Sequence, residues 1–173
     1  MSRRKIKRVT QNPKSYGDEK PQFPTVTIKF ASEIVQSNKD ICFVVGGGPS
    51  LNGFDFSLLN GFDTIAINKA VEYIQNPTYF ITTDYSYFTK ASLPIDEIKL
   101  KTQKSYFVAN MSHDYMKLKR GQIVDTRRNF VYEDLYKYDG VIQSYNKDKF
   151  SSTINEFSHG ENSGHCGIQL ALL

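Results

Sequence analysis

The sequence has no tryptophan, only two cysteines and only three histidines in 173 residues. Two cysteines cannot build the multi-bridge framework of a small secreted domain. Cys42 and Cys166 also match no zinc-ligand spacing, so both read as core thiols in a reducing compartment. Long apolar runs are missing as well: residues 41–45 (ICFVV) are among the longest, far short of a bilayer span. No signal-type apolar stretch follows the basic start, which leaves a cytoplasmic location as the expectation.

What is present is the composition of a globular chain: 39% hydrophobic, 23% charged and a mean hydropathy of −0.45, with 11 Tyr and 12 Phe. A chain of this size buries a sizeable core without disulfides or metal, so stability alone calls for no cofactor. The net charge of +4 is unevenly placed. Residues 1–14 carry Arg3, Arg4, Lys5, Lys7, Arg8 and Lys14 with no acid; without these six, 16 basic residues face 18 acidic ones. Residues 1–24 therefore read as a basic, polar tail, either solvated or offered to an anionic partner, ahead of one domain over residues 25–173.

Short apolar runs recur through that domain. Residues 41–45, 63–67, 78–82 and 105–109 each suit a strand, the first of them buried on both faces as in a parallel sheet. Between them the pattern predicts short helices over residues 69–74, 86–92 and 114–119, with another over residues 32–38 ahead of the first strand. Strands alternating with helices indicate an α/β fold with a mainly parallel sheet flanked by helices. Residues 122–150 are Tyr-rich and charged and read as an irregular insertion or lid.

In a parallel sheet, ligands collect beyond the carboxyl ends of the strands, and a glycine-rich first turn lets backbone amides face phosphate oxygens. Gly46, Gly47, Gly48 and Ser50 occupy that position. Glycine costs backbone entropy, so three in succession ask for a positive φ or a close main-chain ligand. The pattern is neither G-x-G-x-x-G nor a Walker loop, and its spacing leaves a structural turn and a phosphate cradle both open. Other strand ends and turns add Asn68, Thr83 and Asp84, and then Asn162-Ser163-Gly164-His165. Singly, Asn68, Asp84 and Ser163 each suit a helix cap; together the clusters outline a ligand cleft.

The run Gly46-Gly47-Gly48-Pro49-Ser50-Leu51, then Phe54-Asp55-Phe56 with Leu59, then Ile65-Ala66-Ile67-Asn68-Lys69, resembles the amino-terminal half of bacterial family 42 sialyltransferases. Residues 162–172 are similar to their Thr-Ser-Gly segment and the small-residue helix behind it. The chain also resembles a wider phage and bacterial group related to the archaeal hydroxymethylpterin pyrophosphokinases. About a third of the chain carries these resemblances. They imply a Rossmann-like sheet holding a nucleotide, with Gly46, Gly48 and Ser50 approaching the phosphate, Asn68 the nucleotide or sugar, Thr83 or Asp84 the donor, and Ser163 with Gly164 the base or sugar ring. Gly47 departs from the asparagine of the sialyltransferase pattern.

In those enzymes the helix leads on to a further strand and then a histidine that acts as general base, whereas this sequence stops at Leu173. The expectation is therefore a sheet lacking its carboxyl-terminal strand, with nucleotide binding outlasting turnover. Histidine suits a base for an acceptor hydroxyl at neutral pH, and His165, beside Ser163, is the candidate within the chain. Asp84, at a strand end, could hold Mg²⁺ against a diphosphate. Lys117, Lys119, Arg120, Arg127 and Arg128 suit either a solvated face or an anion clamp, and Tyr132, Tyr136, Tyr138 and Tyr145 either packing or an acceptor site. The resemblance implies a glycosyltransferase taking a CMP- or UDP-linked sugar and a hydroxyl acceptor. An ATP- and Mg²⁺-dependent pyrophosphokinase-like enzyme, or a non-enzymatic component such as part of a phage particle, are the competing expectations, with a virion-associated location or a homo-oligomer compatible with the last.

Overall fold

The structure is a computed structural model and describes residues 27–29, 34, 39–85, 94–119, 121–128, 130–132, 134–144, 150, 157–160 and 162–173. The basic tail and the helix expected over residues 86–92 lie outside these residues, as does all but Ile34 of the one expected over residues 32–38.

The core is a parallel sheet. Its strands are β1 (Ile28–Lys29), β2 (Cys42–Val45), β3 (Asp63–Ile67), β4 (Tyr79–Thr82), β5 (Lys104–Asn110) and β9 (Gly140–Ser144), in the spatial order β1-β9-β5-β4-β3-β2. Every neighbouring pair is parallel. A second, antiparallel sheet joins β6 (Met116–Lys119), β7 (Gln122–Asp125) and β8 (Phe130–Val131). Among the described residues two α-helices accompany them, α1 (Ile95–Lys101) and α2 (Ser163–Leu172). The fold is α/β and consistent with a Rossmann-like arrangement.

Side-chain alternation divides the core into two layers. Ala66, Phe80, Phe107, Ala109 and Val141 face one side, and Ile65, Ile67, Ile81, Val108 and Ile142 the other. Strands β2, β3, β4, β5 and β9 succeed one another in both sequence and space. The connections between them supply Leu59, Val71, Ile74, Ile98, Ile123 and Leu135, all to the first side. Crossovers of one hand that step in one direction across a sheet must pack on one face, as these do. On the second side, α2 packs over β2, β3 and β4 through Cys166 and Leu170. It comes very close: a Cβ on Gly167 would lie 2.7 Å from Ile67 Cδ1 and 2.8 Å from Val44 Cγ1. Any larger residue there requires Ile67 and Val44, or the helix, to shift.

Several expectations are corrected. Strand β9 lies within residues 122–150, so this segment is no simple insertion: it supplies an internal strand of the main sheet, with Val141 and Ile142 buried. Residues 116–119 form a strand and not a helix, because Met116 and Leu118 alternate with Lys117 and Lys119, a period of two. The helix expected over residues 69–74 is a 3₁₀ turn, Asn68–Glu72. Strand β2 is not buried on both faces: it is the edge of the sheet, and Val45 is its one buried residue. Helix α1 is an addition to the expected elements, and Asp96 and Glu97 in its first turn and Lys99 and Lys101 in its last complement the helix dipole. Its Ile95 and Ile98, three positions apart, are the buried face.

Candidate functional site

Because the strands are parallel, the residues beyond β2, β3 and β4 all emerge at the same edge of the sheet. After β2 come Gly46 to Gly48, after β3 comes Asn68, and β4 ends in Thr82 with Thr83 and Asp84 beyond it. Helix α2 starts over the same edge. Asn162 caps it, its Oδ1 accepting the His165 amide at 2.8 Å. Ser163, expected as the cap, is the first helical residue, and its hydroxyl is freed for another task. Its Oγ lies 2.7 Å from Thr83 Oγ1, accepts the Thr83 amide at 3.2 Å and accepts Asn68 Nδ2 at 3.4 Å. One buried hydroxyl thus joins residues 80 and 95 positions away.

Asn68 does not cap the adjoining turn; Ile67 holds that position without a side-chain bond. Instead Asn68 adopts φ +50°, a left-handed conformation that asparagine tolerates better than most residues. Its Oδ1 is buried and receives no hydrogen bond. An unused buried acceptor costs about 1–3 kcal/mol and calls for an explanation at that spot.

The glycine turn is open. None of Gly46, Gly47 and Gly48 has a positive φ; Gly48 is extended at φ −71°, ψ 149°. A Cβ on Gly46 would meet nothing within 4 Å, one on Gly47 would lie 3.5 Å from Lys69 Cβ, and one on Gly48 would lie 3.5 Å from Ser50 Oγ. The fold itself therefore does not require glycine at these three positions. A cleft of about 350 Å³ lies beside the turn, lined by Gly47, Gly48, Leu51, Phe54, Phe56 and Tyr73. Phe56 stacks on Tyr73 with ring centroids 6.3 Å apart, and the Lys69 ammonium lies 6.0 Å from the Tyr73 centroid. Asn68 does not line this cleft; its chain neighbour Lys69 has its Cβ beside Gly47.

The other candidates are placed less directly. Asp84 is exposed, and its amide donates to Thr82 Oγ1 at 3.0 Å. Among the described residues no group of three His, Cys, Asp or Glu side chains could hold a metal ion. Mg²⁺ on Asp84 would accordingly draw most of its oxygen ligands from phosphate and water. Gly164 gives clearance to the cap, since a Cβ there would lie 3.0 Å from Asn162 Oδ1. Of the tyrosines, Tyr138 is core, Tyr136 is exposed and Tyr132 lines a second cleft beside Arg127 and Arg128, while Tyr145 and Arg120 lie outside the described residues. Both cysteines are free; burial pushes the Cys166 thiol up to about 12 and, with nearby Asp63, raises that of Cys42.

His165 turns its ring to Ser158, whose Oγ is 2.7 Å from Nε2, and stacks flat on Phe150 at 4.1 Å. Gly160, at φ +49°, packs against the ring so closely that a Cβ would collide with Nδ1. Burial lowers the His165 pKa below its ordinary 6.5. A depressed histidine pKa means the unfolded chain takes up the proton first. Its contribution to stability is full above pH 6.5 and lost as pH falls through the lower folded value. Thermal midpoints measured from pH ~7.5 down to ~5 should fall more steeply in the wild type than in His165→Gln. Parallel curves would remove His165 as the titrating group.

Compared with known proteins, the chain matches no protein-family model, no curated protein and no solved structure.

Proposed function

We propose that this protein binds a nucleotide-activated donor over the carboxyl ends of β2, β3 and β4, with the phosphate at Gly46 to Ser50, and that it is a nucleotide-sugar glycosyltransferase of sialyltransferase-like type. The observation that carries the reading is the glycine turn: three consecutive glycines at the end of a parallel strand, needed by no backbone angle and crowded by no neighbour. What remains for them is to let a ligand approach the main chain. The Ser163 cluster lies over the same strand ends. Transfer to a hydroxyl acceptor needs a base, and the His165 Nε2 is engaged with Ser158 Oγ at 2.7 Å. That engagement favours a second reading, in which the fold binds a nucleotide without turning it over.

Calorimetric titration with CMP, UDP and ATP, with and without Mg²⁺, tests both. CMP or UDP binding that is indifferent to chelation supports the sugar-nucleotide reading, whereas binding of ATP alone and only with Mg²⁺ moves the assignment to a phosphotransferase. Gly48→Val should weaken nucleotide binding at least about tenfold, the equivalent of ~1.4 kcal/mol, while thermal stability stays near wild type. Unchanged affinity in that variant would remove the glycine turn from the site.

A further inference from the structure

We infer that the cleft at the carboxyl ends of β4, β5 and β7 is a second site that binds an oxyanion, the phosphate or carboxylate group of a small molecule. The cleft measures about 190 Å³ and is lined by Thr83, Asn110, His113, Tyr115, Arg127 and Arg128, among others. Its organising group is Asp125, the last residue of β7, which is almost fully buried. Asp125 Oδ1 accepts the amides of Arg127 at 3.0 Å and Arg128 at 3.4 Å, and Oδ2 lies 3.5 Å from Arg127 Nη2. Burial pushes the Asp125 carboxyl up, but these hydrogen bonds and the Arg127 charge outweigh it and hold it below its ordinary value, so it is ionised at neutral pH.

The consequence is a guanidinium fixed before any ligand arrives. The Arg127 guanidinium carbon lies over the Tyr115 ring, 3.1 Å from the centroid, and Tyr115 in turn stacks on His113 at 4.8 Å. Arg128 Nε approaches the same carboxylate at 3.9 Å and its side chain is 78% exposed, which leaves its terminal nitrogens for an incoming group. Two guanidiniums share one carboxylate, so the cluster keeps about one positive charge. A planar fork that is already immobilised loses less entropy when it grips phosphate or carboxylate, and such charge-assisted bonds are about twice as strong as neutral ones. Thr83, whose Oγ1 lies 2.7 Å from Ser163 Oγ, also lines the cleft, so it adjoins the Ser163 cluster there. This inference does not depend on the glycine turn, none of whose residues lines the cleft.

The test is a titration of isotope-labelled full chain with sodium phosphate and, separately, sodium acetate at constant ionic strength, following the Arg127 and Arg128 resonances. Saturable shifts with either anion are expected, and the anion that saturates earlier identifies the group recognised. Arg128→Gln, at an exposed position that leaves folding intact, should weaken the tighter anion about tenfold, and Arg128→Lys should fall between. The same binding should persist in Gly48→Val, even where nucleotide affinity is lost. Shifts that never saturate, affinity indifferent to Arg128→Gln, or phosphate binding lost in Gly48→Val would each overturn the inference.

Discussion

Val141→Asp is expected to abolish cooperative folding. Val141 is fully buried in β9, between β1 and β5, where it pairs with Ile28 and Phe107 and packs in the layer holding Leu135 and Tyr138. A carboxylate there would be buried among the hydrophobic side chains of that layer, and burying an unpaired charge in place of a packed valine belongs to the substitutions that exceed ~4 kcal/mol. Against a total of about 5–15 kcal/mol, that is enough to unfold a large share of the molecules at ambient temperature. Near-ultraviolet circular dichroism, reporting the packed tyrosines, should collapse, while Tyr136→Asp at a 40% exposed position nearby should shift the transition by no more than about 0.5 kcal/mol. A folded Val141→Asp protein would mean that residues 140–144 do not form a central strand, and residues 122–150 would return to being a lid.

Gly167→Val should cost about 1–3 kcal/mol, the range for forcing extra methyl groups into a packed interface. The Cβ alone would fall within 2.8 Å of Val44 Cγ1 and closer still to Ile67 Cδ1, and the two further methyl groups of valine add to the crowding, so α2 is expected to lift from β2 and β3. For a chain of this size, each ~1 kcal/mol lowers the thermal midpoint by about 2–4 °C. The displacement should also reach the site, since the first turn of α2 carries Ser163 and its bonds to Thr83 and Asn68. Nucleotide affinity is accordingly expected to fall along with stability. Gly46→Ala is the contrast: its Cβ would enter open space, so the thermal midpoint should hold. Equal midpoints for Gly167→Val and wild type would show that α2 does not pack this closely.

The legible parts of the fold were those whose signal is local. Residues 63–67 form a strand with the expected bounds, because the apolar and β-branched run Thr64 to Ile67, buried on both faces, needs no partner to be recognised. The strand near residues 105–109 was equally plain. Strand β9 was not: Gly140-Val141-Ile142 is a short apolar signal inside a charged, tyrosine-rich stretch, and its place in the sheet depends on pairing with β5 and β1. Strand β6 alternates clearly, yet its short run next to Asp114 and Tyr115 was equally compatible with a helix until its pairing with β7 decided the matter.

The site divides along the same line. Sequence by itself determined which residue types stand after β2, β3 and β4, because parallel strands send their carboxyl ends to one edge and polar residues stop each apolar run. It determined that the glycine turn exists, but not its conformation: a positive φ was a reasonable cause for three glycines, and the angles are ordinary. Tertiary structure alone decided that Ser163 reaches Thr83 and Asn68, since contacts across 80 and 95 residues depend on how α2 lies on the sheet. It alone decided that His165 faces Ser158, and that Asp125 fixes Arg127 against Tyr115. A capping serine, a surface histidine and an exposed arginine pair look the same in one dimension whether or not a distant partner meets them. Side-chain reach is a few ångströms, and only the packing of the layers brings those partners within it.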